Sequence, residues 1–405
     1  MKFNWALRNL MRNGERSLLS LLMISGAILG LVLFRAFTDN SLRVVEDVST
    51  EMNYGHFQLA NKNYWQNSNA SRGDTFLKNV DQLSSEIRVL PEVKSASGRL
   101  SAFGLLSSGE KTENASLIGF DLNLETGIKK SLKLTEGSYF SKNQSHEILI
   151  GHLLAHRLGL KINDEVTIVL NSVKKVINAG DFKVVGFFAA GTEEIDKYYS
   201  YISLVDLQTL MQTDGVDVLV VKLKSSNTLP VVASRIDQIL NRSFPGVESR
   251  NWMSLSDLFR KVKSFYEAQN LIIQSILIFI VVLGVLNTIG MSVLERIGEM
   301  GTLRSLGTRK VEIYQLLLLE TLFLVLAGIL FGSSGALILG SVVNASAITT
   351  EIPGASLPVP VEFCFSTSGF FLASTLIFCT TIVAAFIPIT KGLSFSIVEA
   401  LRRNT

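Results

Sequence analysis

Two histidines, His152 and His156, stand four residues apart in a stretch that reads as a helix, a spacing that can hold a zinc ion. No acidic residue is spaced to complete such a site, and the His-Glu-x-x-His signature is absent. The pair reads as solvated surface histidines, and no metal is expected. A phosphate loop of the form Gly-x-x-x-x-Gly-Lys-Ser/Thr is also absent from the 405 residues. If ATP drives this protein, another chain binds the nucleotide. No Ser/His/Asp arrangement and no Cys/His nucleophile pair stands out, so the chain is read as non-catalytic, without a cofactor of its own. Glu320 stands apart as an acid inside an apolar run. Charge inside a bilayer is costly and marks a functional residue by default. Three readings stay open for it: an ion pair with a basic residue of the preceding loop, a hydrogen bond to Asn287, or snorkelling to the membrane surface.

That loop runs over Glu295–Gly307 and is followed by Thr308, Arg309 and Lys310. It is basic, punctuated by glycine, and placed where a chain leaving a membrane must turn and re-enter it. It is long enough for a short helix with Ile297, Met300, Leu303 and Leu306 toward one side. Such a helix, lying just under a bilayer, can pack against a cytoplasmic partner. The candidate coupling residues are therefore Glu295, Arg296, Glu299, Met300, Leu303, Arg304, Leu306 and Gly307. The work expected of this chain is mechanical rather than catalytic.

Long apolar elements must position that loop. Hydrophobic residues make up 47% of the chain and charged residues 18%, a balance that points to a membrane protein. Uncharged runs occupy Ser17–Phe34, Ala268–Leu294, Thr321–Thr350 and Phe363–Thr390. A span needs about 20 mostly apolar residues. The first run reaches that length by borrowing Ala36 and Phe37, with Arg35 snorkelling outward. The third is expected to leave the membrane near Gly340, and the fourth to start near Ser368. No small-x-small cleavage site follows Phe34, so the first run reads as a span rather than a removed signal.

Orientation follows from the short loops. Lys2, Arg8, Arg12 and Arg16 precede the first run; Arg296, Arg304, Arg309 and Lys310 lie in the second short loop; Lys391, Arg402 and Arg403 follow the last run. The segment Val342–Glu362 has no Lys or Arg. Both termini are expected in the cytoplasm, with residues 38–267 outside. Within the spans, Gly26 and Gly30 form one small-residue ribbon, and Gly328, Gly332, Ala336 and Gly340 form another. Ribbons of this kind let helix backbones approach closely. The second reads as packing within the chain, and the first serves equally a subunit interface.

In the outer segment acidic and basic residues nearly balance, so nucleic acid is not an expected partner. Leu42, Val45, Val48 and Met52 on one side, and Leu255, Leu258, Val262 and Phe265 on the other, recur at helical spacing. They suit either two stalk helices packed together or two ordinary core faces. Phe76–Leu90 reads as a helix stopped by Pro91, and Leu204–Gln212 as another. Ala115–Phe120, Glu165–Leu170, Phe182–Phe188 and Val216–Leu223 read as strands. Glu147–Gly151, His152–Leu160, Lys161–Glu165 and Val166–Leu170 read as strand, helix, turn and strand. The fold class expected is a membrane α-helical protein of four transmembrane helices, with a large extracytoplasmic α+β domain inserted between helices 1 and 2. Both cysteines, Cys364 and Cys379, fall in or beside the fourth run, about 22 Å apart if on one helix, too far for a disulfide.

Glu295–Gly307, the following Leu316–Glu320, and the C-terminal Ile387, Pro388 and Val398–Arg402 resemble the FtsX-like permease domain of ABC transporters. Ala6–Leu10 and Arg16–Leu19 resemble that family's opening. Gly55–Leu59 and Gly191–Asp196 resemble the outer domain of Lol-type lipoprotein-releasing permeases and MacB-type permeases. The resemblance implies a MacB-like outer domain over 38–267 and an FtsX-like permease domain over 268–405, with 295–307 as coupling helix. It implies a multi-pass protein of the bacterial inner membrane, paired with a second permease copy as homodimer or heterodimer. It further implies a cytoplasmic ABC ATPase subunit that binds ATP, and a periplasmic adaptor or lipoprotein carrier as a further partner. Closure of the ATPases would move the coupling helix, and so drive work outside the membrane. The work implied is extraction or export of lipoproteins or amphiphilic substrates. The alternatives are activation of a cell-wall hydrolase, or MacB-type tripartite efflux of peptides or antibiotics. The proline-containing hook of carrier-recruiting Lol permeases is not evident, since Pro91, Pro230 and Pro245 are well separated.

Overall fold

The computed structural model describes residues 14–66, 72–125, 132–140, 146–350 and 359–396. The expectations for Lys2, Ala6–Leu10, Arg12 and Val398–Arg403 lie outside the described residues. The chain divides into a helical unit, residues 1–43, 262–348 and 360–405, and an α+β unit, residues 44–261 and 349–359.

Helix α1 is Gly14–Val48, and a π-helical turn, Ser49–Asn53, follows it. The α+β unit is then built on strands β1 (Phe57–Asn61), β2 (Val93–Ser107), β3 (Thr112–Phe120), β4 (Lys133–Gly137), β5 (Glu147–Gly151), β6 (Glu165–Asn171), β7 (Ile177–Ala189), β8 (Tyr199–Ser203), β9 (Val218–Leu223) and β10 (Val247–Asn251). They form one sheet in the order β10-β1-β9-β2-β3-β8-β5-β7-β4, with β6 pairing both β2 and β7. The β3–β8 and β5–β7 pairs are parallel, and the other pairs are antiparallel.

Short helices cover the sheet. Helix α2 (Val80–Arg88) buries Leu83, Ser84 and Ile87, and it ends before Pro91, which cannot continue a helix. Helices α3 (His152–Leu158), α4 (Glu193–Tyr198) and α5 (Leu204–Met211) fill the crossovers. Helix α6 (Leu229–Ser243) starts with Pro230 at its first turn and buries Leu229, Val232, Ile236 and Leu240, one apolar stripe at helical spacing. Leu100, Leu117, Ile150, Ile168, Ile202 and Leu207 lie at the centre of the largest core.

The helical unit adds α7 (Asp257–Glu295), α8 (Ile297–Ser305), α9 (Lys310–Ala345) and α10 (Thr367–Leu393) to α1. Among the described residues four helices are long and apolar enough to cross a membrane: Ser17–Asn53, Asp257–Glu295, Lys310–Ala345 and Thr367–Leu393. Helix α9 runs past Gly340, the expected exit, to Ala345. Ile24, Ile28, Val281, Val325, Ile377 and Ile389 are among the residues of the shared core. Close approach depends on glycine. A Cβ on Gly328 would meet the Ile24 side chain, and one on Gly332 the Ser25 carbonyl and Ile28. Ala336 is fully buried beside them. The Met23 thioether occupies the space left by Gly284 of α7. In contrast, Gly26 faces open space, and Gly30 meets only Leu277, at 3.6 Å.

The two expected stalk stripes do not behave alike. Met52 and Val48 pack into a core with Phe120, Leu149, Phe188 and Tyr201. Leu258 and Phe265 are each 62% exposed. Half of the first stripe is therefore a core face, and half of the second is left uncovered.

Candidate functional site

The coupling segment is best built from its ends. Helix α7 stops at Glu295, and Arg296 sits at the N-cap of α8 with non-helical backbone. The Arg296 guanidinium donates to both carboxylate oxygens of Glu320, at 3.2 and 3.0 Å, and lies 3.5 Å from a Glu299 oxygen. Of the readings open for Glu320, the ion pair with the loop is therefore formed; Asn287 lies exposed on α7. Both contacts come from a single nitrogen, Nη1, and the charge-assisted pair draws the two side chains together. It anchors the start of α8 to α9.

The apolar side of α8 departs from expectation. Ile297 is 2% exposed and Met300 7%, and both belong to the core of the helical unit, with Leu303 half-buried against it. These residues face the chain's own bundle rather than a partner. Amphipathic spacing shows that a face is buried, but not against what. Leu306 lies beyond the last residue of α8 and is 78% exposed. Glu295, Glu299 and Gly307 are also exposed. Gly307 has φ +99, a left-handed turn that side chains disfavour, and it redirects the chain into α9. Arg304 donates to the Phe395 carbonyl at 2.7 Å and ties the segment after α10 to α8.

The comparisons with known proteins bear on this arrangement. A family model described as the MacB-like periplasmic core domain matches residues 17–239, more than half the chain. A second, described as FtsX-like permease C-terminal, matches residues 271–397. This chain is an ABC transporter permease of the LolC/MacB/FtsX type. The permease is 26% identical over 262 residues to the lipoprotein-releasing system transmembrane protein LolC of Xylella fastidiosa, covering 62% of this chain and 61% of that one. It is 23% identical over 340 residues to the macrolide export ATP-binding/permease protein MacB of Bdellovibrio bacteriovorus, covering 80% and 49%. It thus spans less than two thirds of the length of either relative. Among solved structures, the periplasmic region of MacB from Actinobacillus actinomycetemcomitans aligns with TM-score 0.38 at 14% identity, over 51% of this chain and 92% of that one.

The α+β unit of the permease holds a second polar constellation that sequence reasoning missed. Arg99 on β2 is buried and paired with the buried Glu125. Its Nη1 also donates to the carbonyls of Met52 at 2.7 Å and Asn53 at 2.6 Å. Lys222 on β9 is 1% exposed and donates to the Glu51 carbonyl at 2.6 Å and the Glu51 carboxylate at 3.1 Å. Burial pulls the Lys222 pKa below the usual lysine range, and the charges of Glu125 and Glu51 restore part of it. Burial opposes ionisation of Glu51 too, but Lys222 outweighs it and holds that carboxyl below the usual range. His56 lies beside them; its Nδ1 accepts from the Leu223 amide at 3.2 Å. Burial pushes its pKa down to about 4, against a partial lift from Glu51. The signal for this cluster was a cation flanked by apolar residues inside each of two strands, Arg99 in β2 and Lys222 in β9.

The histidine pair separates. His152 Nδ1 lies 3.5 Å from Asp196 Oδ2, and that carboxylate is fully buried, so His152 is not the solvated residue expected. His156 is exposed. Asp196 accepts from the Ala190 amide at 2.7 Å through its other oxygen. Among the described residues no group of three His, Cys, Asp or Glu is placed to hold a metal. Cys364 and Cys379 are free thiols.

Proposed function

We propose that this permease converts ATP hydrolysis by a separate ATPase subunit into movement of its α+β unit outside the bacterial inner membrane, and so extracts or exports lipoproteins or other amphiphiles from the outer leaflet. Its own chain does no chemistry. Both termini lie in the cytoplasm, and a second permease copy completes the assembly. The observation that carries this reading is the seat of α8. The Arg296–Glu320 pair and the burial of Ile297 and Met300 hold α8 to the helical unit, while Glu299, Leu306 and Gly307 stay exposed for a partner. A helix so seated passes a push into the spans rather than absorbing it.

The second copy is assigned to α7, the least covered of the four long helices. Ile280, Leu283, Asn287, Met291 and Leu294 are exposed on it, at spacings of three, four, four and three. Lipid cannot satisfy the Asn287 amide, whereas the same amide of a second copy both donates and accepts. For the cargo, a groove of about 720 Å³ in the α+β unit, lined by Phe103, Leu105, Ile177 and Tyr198, favours an amphiphile over force transmission without cargo.

Leu306→Asp is the test. Placing a charge in an apolar contact without a partner costs several kcal/mol when fully buried. The ATPase subunit is expected to fall away from the variant purified in mild detergent, while the permease still inserts. Co-purification and cargo-stimulated ATP turnover at the parent level would remove the coupling assignment. Leu303→Asp is the poorer probe, because Leu303 packs against the permease's own core.

A further inference from the structure

We propose that Arg99 and Lys222 are positioning residues that weld the end of α1 to the sheet, so that this helix end and strands β2 and β9 move as one body. The last carbonyls of a helix have no partner within it. Here they fall on Glu51, Met52 and Asn53, in the π-helical turn that ends α1. A helix left to itself would give these groups to water or to a glycine-based cap. In this permease two buried cations take them instead: Lys222 from β9 at 2.6 Å, and Arg99 from β2 at 2.7 and 2.6 Å.

Three features make the joint stiff. The cations come from adjacent, hydrogen-bonded strands; Ala96 pairs with Val221 and Arg99 with Val218. Each cation is itself held by a carboxylate, Arg99 by Glu125 and Lys222 by Glu51. Positive charge at the negative end of a helix is favourable, and more so where water is excluded. The turn is also locked beneath by Met52, 3% exposed in the core, and beside by a contact of 3.3 Å between the hydroxyls of Ser49 and Ser256. A solvated hinge would be built the opposite way, from exposed carbonyls and small residues. The functional consequence rests on the proposed function: a movement arriving along α1 is delivered into the middle of the sheet, since β9 and β2 are interior strands.

The first test reads geometry, not activity. In the full chain, with Cys364 and Cys379 replaced by serine, spin labels are placed at Val44→Cys on α1 and Phe103→Cys on β2, both exposed. Pulsed electron resonance then reports the distance distribution between them. A single narrow distribution is expected in the parent, its loss in Lys222→Met, and its return in Lys222→Arg, with the melting transition present throughout. Arg99→Lys is the second variant, and it decides the matter if Lys222→Met does not fold. It keeps a charge but loses the fork that reaches two carbonyls and Glu125, so the narrow distribution is again lost. A distribution as narrow in the folded variants as in the parent overturns the weld. Because no ATPase subunit is present, this result stands apart from the coupling assignment. A variant with intact ATPase binding but a loosened joint should lose cargo-linked ATP turnover; retained turnover there would also overturn the proposal.

Discussion

In the helical unit the buried ionic contact is side chain to side chain, Arg296 with Glu320. In the α+β unit the buried cations Arg99 and Lys222 give half of their bonds to carboxylates and half to main-chain carbonyls. The difference follows from where backbone groups are left unpaired. A spanning helix satisfies its own backbone, so a charge placed there must find another charge. A helix that ends against a sheet exposes carbonyls, and a cation from the sheet can take them. Packing differs in the same sense. The helical unit gains contact by removing side chains, at Gly328 and Gly332, whereas the sheet fills its core with branched and aromatic residues.

The largest expected effect would sharpen this contrast. Arg99→Met leaves the Glu125 carboxylate and two carbonyls buried without their cation, at a cost of about 3–5 kcal/mol. The melt of the α+β unit should fall far more than it does for Arg296→Met, whose carboxylate partner keeps more water. Equal shifts in the two variants would erase the contrast.

Gly332→Leu comes next. Its side chain would meet the Ser25 carbonyl and Ile28, with overpacking of up to about 3 kcal/mol. A Cβ at Gly26 meets nothing within 4 Å, and Gly26→Ala should leave the melt of the purified chain unchanged. If both variants melt alike, glycine is not what sets the approach of α1 and α9.

Acid should reach the α+β unit third. His56 titrates at about 4 when folded and near 6.5 when unfolded, so the unfolded chain takes up the proton first as pH falls. The stability from its neutral form is whole above pH 6.5 and is lost as pH falls toward 4, by roughly 2 kcal/mol at pH 5. Glu51, held below its usual range, loses its contribution at still lower pH. His56→Gln should flatten the upper part of that slope in denaturant titrations between pH 7 and 5; an unchanged slope would assign it to other groups.

The smallest effect concerns the exposed face of α7. Asn287→Leu should weaken self-association in detergent by about 1 kcal/mol, a few-fold in dimer dissociation constant. Unchanged association would move the second copy to another face.

Much of this architecture was legible in the residues. The spans were, because length and lack of charge suffice. So was the run from Glu147 to Leu170, whose strand, helix and turn each carry their own signals. Strand β2 was not. Its sequence mixes Ser, Gly and Arg99 with apolar residues, and most of its first ten positions are covered on both faces, so no alternation survives. Helix α6 was missed although Leu229, Val232, Ile236 and Leu240 keep helical spacing and Pro230 marks the start. For Glu320, spacing narrowed the partners to a few, and only folding chose Arg296. For α8, Ile297 and Met300 of the expected apolar side are buried in the chain's own bundle and Leu306 is exposed beyond the helix, since periodicity does not distinguish an outside partner from that bundle. Arg99 and Lys222 found no place in the sequence reading, because half of what they bind is backbone, which has no letter, and their carboxylate partners Glu125 and Glu51 lie far off in the chain.

The crossing of α1 and α7, where the Met23 thioether fills the gap left by Gly284, carries a liability of a chemical kind. Oxidation to the sulfoxide would force a polar oxygen and a new stereocentre into a contact that has no room for either. Cys364 and Cys379 are the obvious thiols, free and at least partly exposed, but this damage would leave them untouched. Oxidation at Met23 would therefore injure this protein as a loosened bundle, repairable by methionine sulfoxide reduction and indifferent to thiol reductants.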